Sequence, residues 1–250
     1  MSNARPGDRL VRSPVFLLSS VRSGSTLLRC ILNTHSRIRA PHELHLADLE
    51  VQVVGRNGEL AMTESGLSVR DIEHLLWDRM LHRELVVSGK DIVVDKTPGN
   101  LLLWRRLREC WPAARFLFLL RHPLHVLESS IAVEPSQNAE AAKRLVACYL
   151  EELVTARREL PGLTVRYEDL TLHPDQVTQQ ICEFLEVPWE AGMVEYGKAD
   201  HGSYLFGIGD SSETIQGGVI VPGRELPPDL QIPEHLRAVC SELGYLGADQ

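Results

Sequence analysis

The stretch PVFLLSSVRSGSTLLRCILN, residues 14–33, decides the fold. The apolar run within residues 14–19 predicts a buried strand, and residues 26–33 have the spacing of a helix with an apolar face. A short turn rich in hydroxyl side chains, with Gly24 in it, joins the two. Strand, tight turn and helix in this order are typical of an α/β protein.

The same alternation continues along the chain. Strands are predicted at 91–95, 115–120 and 163–167, and helices at 100–110 and from Pro123 onward, since proline suits the first helical turn. Two more helices, 69–85 and 139–160, follow no strand of their own. Fully apolar strands between helices predict a central, mostly parallel sheet with helices on both faces, in a single α/β domain that covers residues 1–250.

Composition and charge exclude several classes of protein. The chain has 26 Lys and Arg against 34 Asp and Glu, a net charge of −8, which argues against a nucleic-acid partner. The longest apolar runs fall far short of the roughly 20 residues that span a bilayer, so no membrane partner is expected. Residues 1–12 are polar and basic without the apolar core of a secretory signal, and we expect them to be disordered.

Five cysteines lie far apart and form no CxxC pair. Cys30, Cys110, Cys148, Cys182 and Cys240 are therefore expected to be mostly small buried side chains in a reducing compartment. This predicts a cytoplasmic protein without disulfides or structural zinc.

Residues 192–223 differ in character from the rest of the chain. They contain eight of the eighteen glycines, and regular periodicity fades. Such a stretch predicts an irregular surface segment or a lid over a site.

The turn after the first strand predicts a site for an anion. The free amides and the positive dipole end of a helix N-terminus meet there, with Ser25, Thr26 and the charge of Arg22. The alternative is that Ser25 merely caps the helix. The turn lacks the glycine spacing and the lysine of the GxxxxGK[ST] loop, so a phosphate-like group other than a metal-bridged triphosphate is favoured.

The strand at 115–120 leads into a second candidate anion site. It ends at Arg121, on the same sheet edge as the first turn, and Ser129 follows two helical turns later. Charge-assisted hydrogen bonds from such groups contribute about 1.5–3 kcal/mol each. The alternative for Arg121 is an ion pair with a carboxylate such as Glu128.

These two segments together resemble a known family. VRSGSTLLRCIL (21–32) and RHPLHVLES (121–129) look like the two cofactor-binding motifs of sulfotransferases that use 3′-phosphoadenosine 5′-phosphosulfate (PAPS). PHELHL (41–46), VVDKTP (93–98) and VRYEDLTLHP (165–174) extend the resemblance over about the first 175 residues. It implies a P-loop-kinase-like sulfotransferase fold, PAPS as cofactor, 3′-phosphoadenosine 5′-phosphate (PAP) as its product, and no metal.

The resemblance also implies roles for single residues in cofactor binding. The loop holds the 5′-phosphosulfate, and Arg121 and Ser129, eight residues apart, hold the 3′-phosphate. Tyr167 lines the nucleotide side; from the residues alone it is equally a half-buried aromatic that closes the fourth strand. The loop residues are Arg22, Ser23, Gly24, Ser25 and Thr26.

The motifs are most similar to tyrosylprotein sulfotransferases and to the sulfotransferase domains of bacterial polyketide assembly lines. By that likeness Glu43, 21 positions after Arg22, acts as or beside the catalytic base, with His45 next to it. Lys96 contacts the bridging oxygen of the leaving phosphate. The alternatives are that Glu43 is a carboxylate favoured by a helix dipole and Lys96 a surface residue. The histidines of HELH are three apart, not four, so a zinc motif is not indicated.

The resemblance weakens in the last third of the chain. The Arg-Lys-Gly cofactor clamp of cytosolic sulfotransferases is missing, and only Gly217-Gly218 and Arg224 offer a loose substitute. The predicted function is in-line sulfuryl transfer from PAPS to a hydroxyl of a small molecule or of a carrier-bound metabolite in bacterial secondary metabolism. A non-catalytic nucleotide-binding subunit and a small-molecule kinase stay open as alternatives, and a homo- or hetero-oligomer is compatible with the sequence.

Overall fold

The computed structural model describes residues 9–133, 139–205, 207–210 and 212–246. Its strands are β1 (Val15–Ser19), β2 (Ile38–Arg39), β3 (Ile92–Asp95), β4 (Arg115–Leu120) and β5 (Gly162–Arg166). The helices before β4 are α1 (Ser25–Thr34), α2 (Arg56–Glu64), α3 (Val69–Ser88) and α4 (Trp104–Cys110). Those after it are α5 (Pro123–Val133), α6 (Ala139–Glu159), α7 (Tyr167–Leu172), α8 (Pro174–Leu185), α9 (Glu213–Gln216) and α10 (Glu234–Glu242).

The strands form a single sheet in the order β2-β3-β1-β4-β5, and each neighbouring pair is parallel. The central strand β1 pairs with β4 along its whole length and with β3 near its start. The predicted parallel sheet is confirmed. The sequence did not predict β2, because a strand of two residues is too short to show a periodicity.

Alternate residues of the central strands enter two separate cores. Phe16 and Leu18 face a core shared with α3, α4 and α6, whereas Val15 and Leu17 face a core shared with α1 and α8. Because both faces of the sheet are covered, every residue of β1 is buried. The prediction of helices on both faces is confirmed.

The helix predicted at 100–110 is wrong in its first half. Residues Pro98–Leu103 form a 3-10 helix, and the α-helix α4 begins only at Trp104. The Asn100 side chain donates a hydrogen bond of 2.8 Å to the carboxylate of Asp95, and its backbone N–H donates to Thr97 O at 2.9 Å. These bonds tie the segment back to the end of β3, so its first turn is tighter than an α-helix.

The alternative in which Tyr167 closes the fourth predicted strand is wrong. β5 ends at Arg166, and Tyr167 is the first residue of α7, with Glu168 and Asp169 in the first turn. Carboxylates at that position favour a helix N-terminus, which explains why the strand stops there. The ring is thereby placed at the carboxyl edge of the sheet.

The expected disorder at the N-terminus does not extend to residues 9–12. Leu10 and Val11 donate their backbone N–H groups to the buried Asp78 carboxylate at 2.7 and 3.1 Å, and Arg9 Nε donates to Cys110 O at 3.0 Å. The buried carboxylate thus supplies partners that fix this segment. Residues 1–8, for which disorder was also expected, lie outside the described residues.

The described part of segment 192–223 has little regular structure. It contains the end of the 3-10 turn Ala191–Val194, the turn Tyr196–Lys198 and the short helix α9. Residues 206 and 211 lie outside the described residues. The segment reaches the loop after β1, since Asp210 donates its backbone N–H to Thr26 Oγ1 at 3.0 Å.

The five cysteines are free, and four of them, Cys30, Cys110, Cys182 and Cys240, are buried. Cys148, on α6, is exposed. Within the described ranges, no helix is both long enough and apolar enough to cross a bilayer.

Candidate functional site

The carboxyl ends of the strands open into one cleft of about 580 Å³. This volume lies in the range of about 300–1,000 Å³ that is common for small-molecule sites. Its lining includes Arg22, Glu43, Arg121, Ser129 and Tyr167. The structure therefore brings together residues from four separate segments of the sequence.

The loop after β1 leaves the first amides of α1 free of a capping side chain. The N-cap residue is Gly24, with φ 83°, and Ser25 is already the first residue of the helix. The alternative role of Ser25 as the cap is therefore wrong. Ser23 Oγ instead closes the turn by donating to Ser20 O at 2.8 Å. Free amides at a helix N-terminus are a favourable environment for an anion.

Tyr167 is fixed against this loop. A Cβ added to Gly24 would lie 2.3 Å from Tyr167 Cδ2, so only glycine allows the ring to approach so closely. The Arg121 guanidinium lies 4.5 Å from the ring centroid, and Gly223 packs against another part of the ring. The loop, the ring and the guanidinium thus form one packed unit.

Arg22, Arg121 and Ser129 meet in this unit. Arg121 Nη1 donates to Arg22 O at 2.7 Å, and Arg22 Nε donates to Ser129 Oγ at 3.3 Å. The two anion sites that the sequence predicts are therefore adjacent. The alternative ion pair between Arg121 and Glu128 is not formed, because the Glu128 carboxylate pairs with Arg224 at 2.8 Å.

The charge of Arg121 has no carboxylate within ion-pairing distance among the described residues, and its Nε is buried without a hydrogen-bond partner there. Burial lowers the pKa of Arg121; the nearby Tyr167 and Glu168 oppose this shift, and Arg224 and Arg22 add to it. Since the ordinary pKa of arginine is far above neutral, the side chain stays charged. A half-buried cation without a carboxylate in direct contact favours an anionic ligand.

Glu43 lines the other half of the cleft, and Lys96 and His45 are in contact with its carboxylate. Lys96 is 1% exposed, so the alternative of a surface lysine is wrong. Its ammonium donates to a Glu43 carboxylate oxygen and to Thr26 Oγ1 at 3.3 Å, while the other Glu43 oxygen lies 3.4 Å from His45 Nε2. Burial lowers the pKa of Lys96, and the Glu43 charge opposes that shift.

The alternative role of Glu43 as a helix N-terminal carboxylate is also not realised. Glu43 lies in an irregular loop before the 3-10 turn Leu46–Asp48, whose N-cap is His45. His45 Nδ1 lies 3.4 Å from the Asp48 carboxylate, and His45 Nε2 lies 3.0 Å from Gly207 O. No group of three His, Cys, Asp or Glu side chains within the described ranges is placed to hold a metal ion.

Three residues with direct contacts to the site were missed at the sequence level. Thr97 accepts hydrogen bonds from the backbone of the loop that carries Glu43, and Asp95 accepts the hydroxyl proton of Thr97. Both lie in the VVDKTP motif, in which the resemblance implies a role for Lys96 alone. The third is Asp210, whose carboxylate lies 3.8 Å from Arg22 Nη2; it sits in a segment without periodicity, so no local signal marks it.

The loose substitutes for the missing clamp have different roles. Gly218 packs against Gly197 so closely that a Cβ on Gly218 would lie 2.6 Å from the Gly197 Cα, which identifies Gly217-Gly218 as a packing feature. Arg224 pairs with Glu128 on α5, and Gly223 N–H donates to Thr171 Oγ1 at 3.0 Å. The chain around Arg224 is thus held beside Tyr167 and Arg121.

Comparison with known proteins agrees with this geometry. The chain is 24% identical to protein-tyrosine sulfotransferase A of Caenorhabditis elegans over 76% of its length, and it spans about half (54%) of that relative. A sulfotransferase domain from the curacin biosynthetic pathway superposes with a TM-score of 0.69 at 24% identity, covering 94% of this chain and 99% of that one. One from the olefin synthase of Synechococcus PCC 7002 gives 0.69 at 23% identity, covering 96% and 98%.

These two solved structures have the same fold as this chain. A family model, described as the sulfotransferase family, matches residues 14–191, which include the loop after β1, the Lys96–Glu43 pair and the Arg121–Ser129 unit. The match thus runs through each strand of the sheet and each half of the cleft. On this evidence the chain belongs to the sulfotransferase family.

Proposed function

We propose that this protein transfers a sulfuryl group from PAPS to the hydroxyl of a small molecule or of a carrier-bound metabolite. The observation that supports the proposal most is that one cleft is lined both by Arg121, which has no ion-pair partner among the described residues, and by Glu43, whose carboxylate contacts the buried Lys96. PAPS supplies a sulfuryl group already bonded to a phosphate that can leave.

Residues on one side of the cleft bind the nucleotide in this proposal. Arg121, Arg22 and Ser129 hold the 3′-phosphate, because they already form a connected group of donors with a net positive charge. Tyr167 offers its ring to the nucleotide beside them. The free amides at Ser25 and Thr26, with the α1 dipole, hold the 5′-phosphate.

Residues on the other side carry the chemistry. The S–O bond to the phosphate breaks with its electron pair left on the phosphate, and a new S–O bond forms to the acceptor oxygen, in a loose transition state like that of phosphoryl transfer. Lys96 places a point charge where negative charge builds on the leaving oxygen. Glu43, or His45 next to it, takes the proton of the acceptor hydroxyl.

The contact between Lys96 and Glu43 gives this step a requirement. Lys96 donates to one Glu43 oxygen in the structure, so in this proposal the ammonium turns from Glu43 to the phosphate as the carboxylate takes up the proton. Thr26 Oγ1, 3.3 Å from Lys96 Nζ at the helix N-terminus, is a second partner of the ammonium. Burial, which lowers the pKa of Lys96, makes the ammonium readier to gain an anionic partner.

Part of the cleft lining is apolar, and it includes Val21, Pro98, Ala142 and Leu145. Such a wall suits the carbon skeleton of an apolar alcohol. The curacin-pathway and olefin-synthase domains that share this fold support an acceptor from secondary metabolism. The free, exposed thiol of Cys148 supports a cytoplasmic location, since thiols stay reduced in the cytoplasm.

Two substitutions with opposite signatures test the proposal. Glu43→Gln keeps an oxygen for Lys96 but removes the base, so the transfer rate should fall about 100-fold or more while PAP affinity stays within about twofold. Arg121→Ala should weaken PAP binding about 10- to 100-fold through loss of charge-assisted bonds. The transfer rate is measured by counting the ³⁵S that passes from labelled PAPS to a panel of alcohols. PAP affinity is measured by calorimetry.

The outcomes separate the alternatives. PAP binding without transfer to any alcohol in the panel would favour a non-catalytic subunit over an enzyme. A thermal shift with ATP and Mg²⁺ but none with PAP would favour a kinase. Loss of PAP affinity in Glu43→Gln as large as in Arg121→Ala would contradict the role given to Glu43.

A further inference from the structure

We propose that Asp95 and Thr97 are positioning residues that hold the Glu43–His45 loop in the conformation used for transfer; this rests on the proposed function of Glu43 and His45. Neither residue touches the reacting atoms. They act through the backbone of the loop, and they flank Lys96 in the sequence. The tripeptide Asp95-Lys96-Thr97 would then fix both the ammonium and the base.

Thr97 is the centre of the arrangement. Its Oγ1 accepts hydrogen bonds from the backbone N–H groups of Leu44 at 3.1 Å and His45 at 3.4 Å. The same oxygen donates its proton to Asp95 Oδ1 at 3.2 Å. The other Asp95 oxygen accepts from Asn100 Nδ2 at 2.8 Å. A continuous path of hydrogen bonds thus runs from the end of β3 to the catalytic loop.

The direction of these bonds depends on the carboxylate. A threonine hydroxyl has one proton and two lone pairs, and a carboxylate only accepts. Asp95 therefore takes the proton, and both lone pairs of Thr97 Oγ1 remain for the two loop amides. Asp95, Thr97 and Asn100 are each at most 3% exposed, so water does not replace a missing partner easily.

The loop needs such an anchor. Residues 41–45 form neither helix nor strand, and His45 has φ 46°, a left-handed conformation that side-chain-bearing residues seldom adopt. A conformation of this kind persists only where its surroundings enforce it. The hydrogen bond to the His45 amide does so, and it keeps His45 Nε2 3.4 Å from the Glu43 carboxylate.

The extended backbone explains how one tripeptide serves two purposes. Successive side chains of a strand point to opposite faces, so Asp95 and Thr97 share one face and Lys96 takes the other. Thr97 has φ −126° and ψ 124°, which continues the strand geometry past Asp95. The ammonium of Lys96 reaches the Glu43 side chain while Thr97 holds the backbone that follows it.

The nucleotide side should not depend on this anchor. Arg121 and Ser129 lie at the end of β4 and on α5, and their contacts run to Arg22. Loss of the Thr97 hydroxyl is therefore expected to lower kcat and to leave PAP affinity unchanged. A merely structural role would instead lower both in proportion to the loss of stability.

The test compares Thr97→Val, which removes the hydroxyl at nearly the same volume, with Thr97→Ser, which keeps it. We expect Thr97→Val to lower kcat about 10- to 100-fold and to speed amide exchange at Leu44 and His45 about tenfold or more, with PAP affinity within about twofold. In Thr97→Ser, kcat and the two exchange rates should stay within about threefold of the wild-type values. Asp95→Ala, which removes both acceptor oxygens of the carboxylate, should speed the same amides.

Thr178→Val is the matched control. Thr178 is fully buried on α8, donates to Pro174 O at 2.8 Å and accepts from Trp189 Nε1 at 3.0 Å, far from the loop. Its loss should lower stability but leave kcat and the exchange of Leu44 and His45 unchanged.

Unchanged exchange of both amides in a folded Thr97→Val or Asp95→Ala protein would overturn the proposal, as would a Thr97→Ser protein as impaired as Thr97→Val. The exchange measurement needs no acceptor. If the wild type transfers sulfuryl to nothing, the proposed function fails while the anchoring role is still tested.

Discussion

A methyl group added at Gly24 tests the packed unit at the centre of the cleft. In Gly24→Ala the new Cβ would lie 2.3 Å from Tyr167 Cδ2, on a residue with φ +83°. Ordinary van der Waals contact begins at 3.4 Å, so the two groups must separate by about 1.1 Å, the difference between these distances. The ring has close neighbours on other sides, since an added Cβ at Gly223 would lie 3.2 Å from Tyr167 Cε1 and the Arg121 guanidinium lies over the ring, so a shift of the ring disturbs these contacts.

Two costs add up in this substitution. A left-handed alanine costs about 1–2 kcal/mol relative to glycine. Displacement of the ring also weakens its contact with the Arg121 guanidinium, 4.5 Å from the centroid, and a cation–π contact of this type is worth about 0.5–2 kcal/mol. The free energy of unfolding should therefore fall by about 1.5–4 kcal/mol. If the amides of Ser25 and Thr26 move with the loop, PAP affinity should fall about 10- to 100-fold.

Urea unfolding and calorimetry with PAP measure these effects on Gly24→Ala, Tyr167→Ala and the double variant. Without the ring only the backbone strain remains, so the two substitutions should be coupled by about 1–2 kcal/mol. Gly192→Ala is the control, since a Cβ there meets no atom within 4 Å and φ is not left-handed. It should leave the free energy of unfolding within about 0.5 kcal/mol.

The reasoning is refuted if Gly24→Ala unfolds at the same urea concentration as the wild type and binds PAP equally well. Strictly additive effects of Gly24→Ala and Tyr167→Ala would refute the clash while leaving the backbone strain.

Two further predictions concern carboxylates at the site. Asp210→Asn removes a negative charge 3.8 Å from Arg22 but keeps an oxygen for the Ser212 amide, so calorimetry should show PAP binding about two- to fivefold tighter; weaker binding would contradict an electrostatic role. Burial raises the pKa of Asp95 to about 6 in the folded protein. The protonated carboxyl therefore adds to the free energy of unfolding; this contribution is complete below about pH 4 and is lost as pH rises through 6. Relative to Asp95→Asn, the wild type should lose about 1–2 kcal/mol of unfolding free energy between pH 5 and 8 in urea titrations, and parallel curves would argue against the shift.

The sequence determined the elements whose signals are local. Apolar runs marked β1, β3 and β4 because both faces of the sheet are covered there, so these strands needed no alternation to be recognised. The turn around Gly24 predicted a site for an anion, because the residues of that turn are adjacent in the chain. The end of a predicted strand marked Arg121, and motifs that resemble a family added Glu43 and Lys96.

Elements governed by distant partners were misjudged or missed. The start of the helix at 100–110 depends on the bond from Asn100 to Asp95, and β2 exists because it pairs with β3. The end of the fourth strand at Arg166 depends on the helix that Tyr167 begins. Periodicity counts neighbours within one segment, and it carries no information about such pairings.

The tertiary structure alone decided how the site residues meet. Arg121 and Arg22 are 99 residues apart in sequence, and Asp210 lies 184 residues after Thr26, yet each pair shares a hydrogen bond. The sequence could name Lys96 and Glu43 but not their contact, nor the role of Thr97 in holding the loop. The physical reason is that a parallel sheet gathers the ends of separated strands at one edge, and the distances between side chains there follow from the packing of the whole chain.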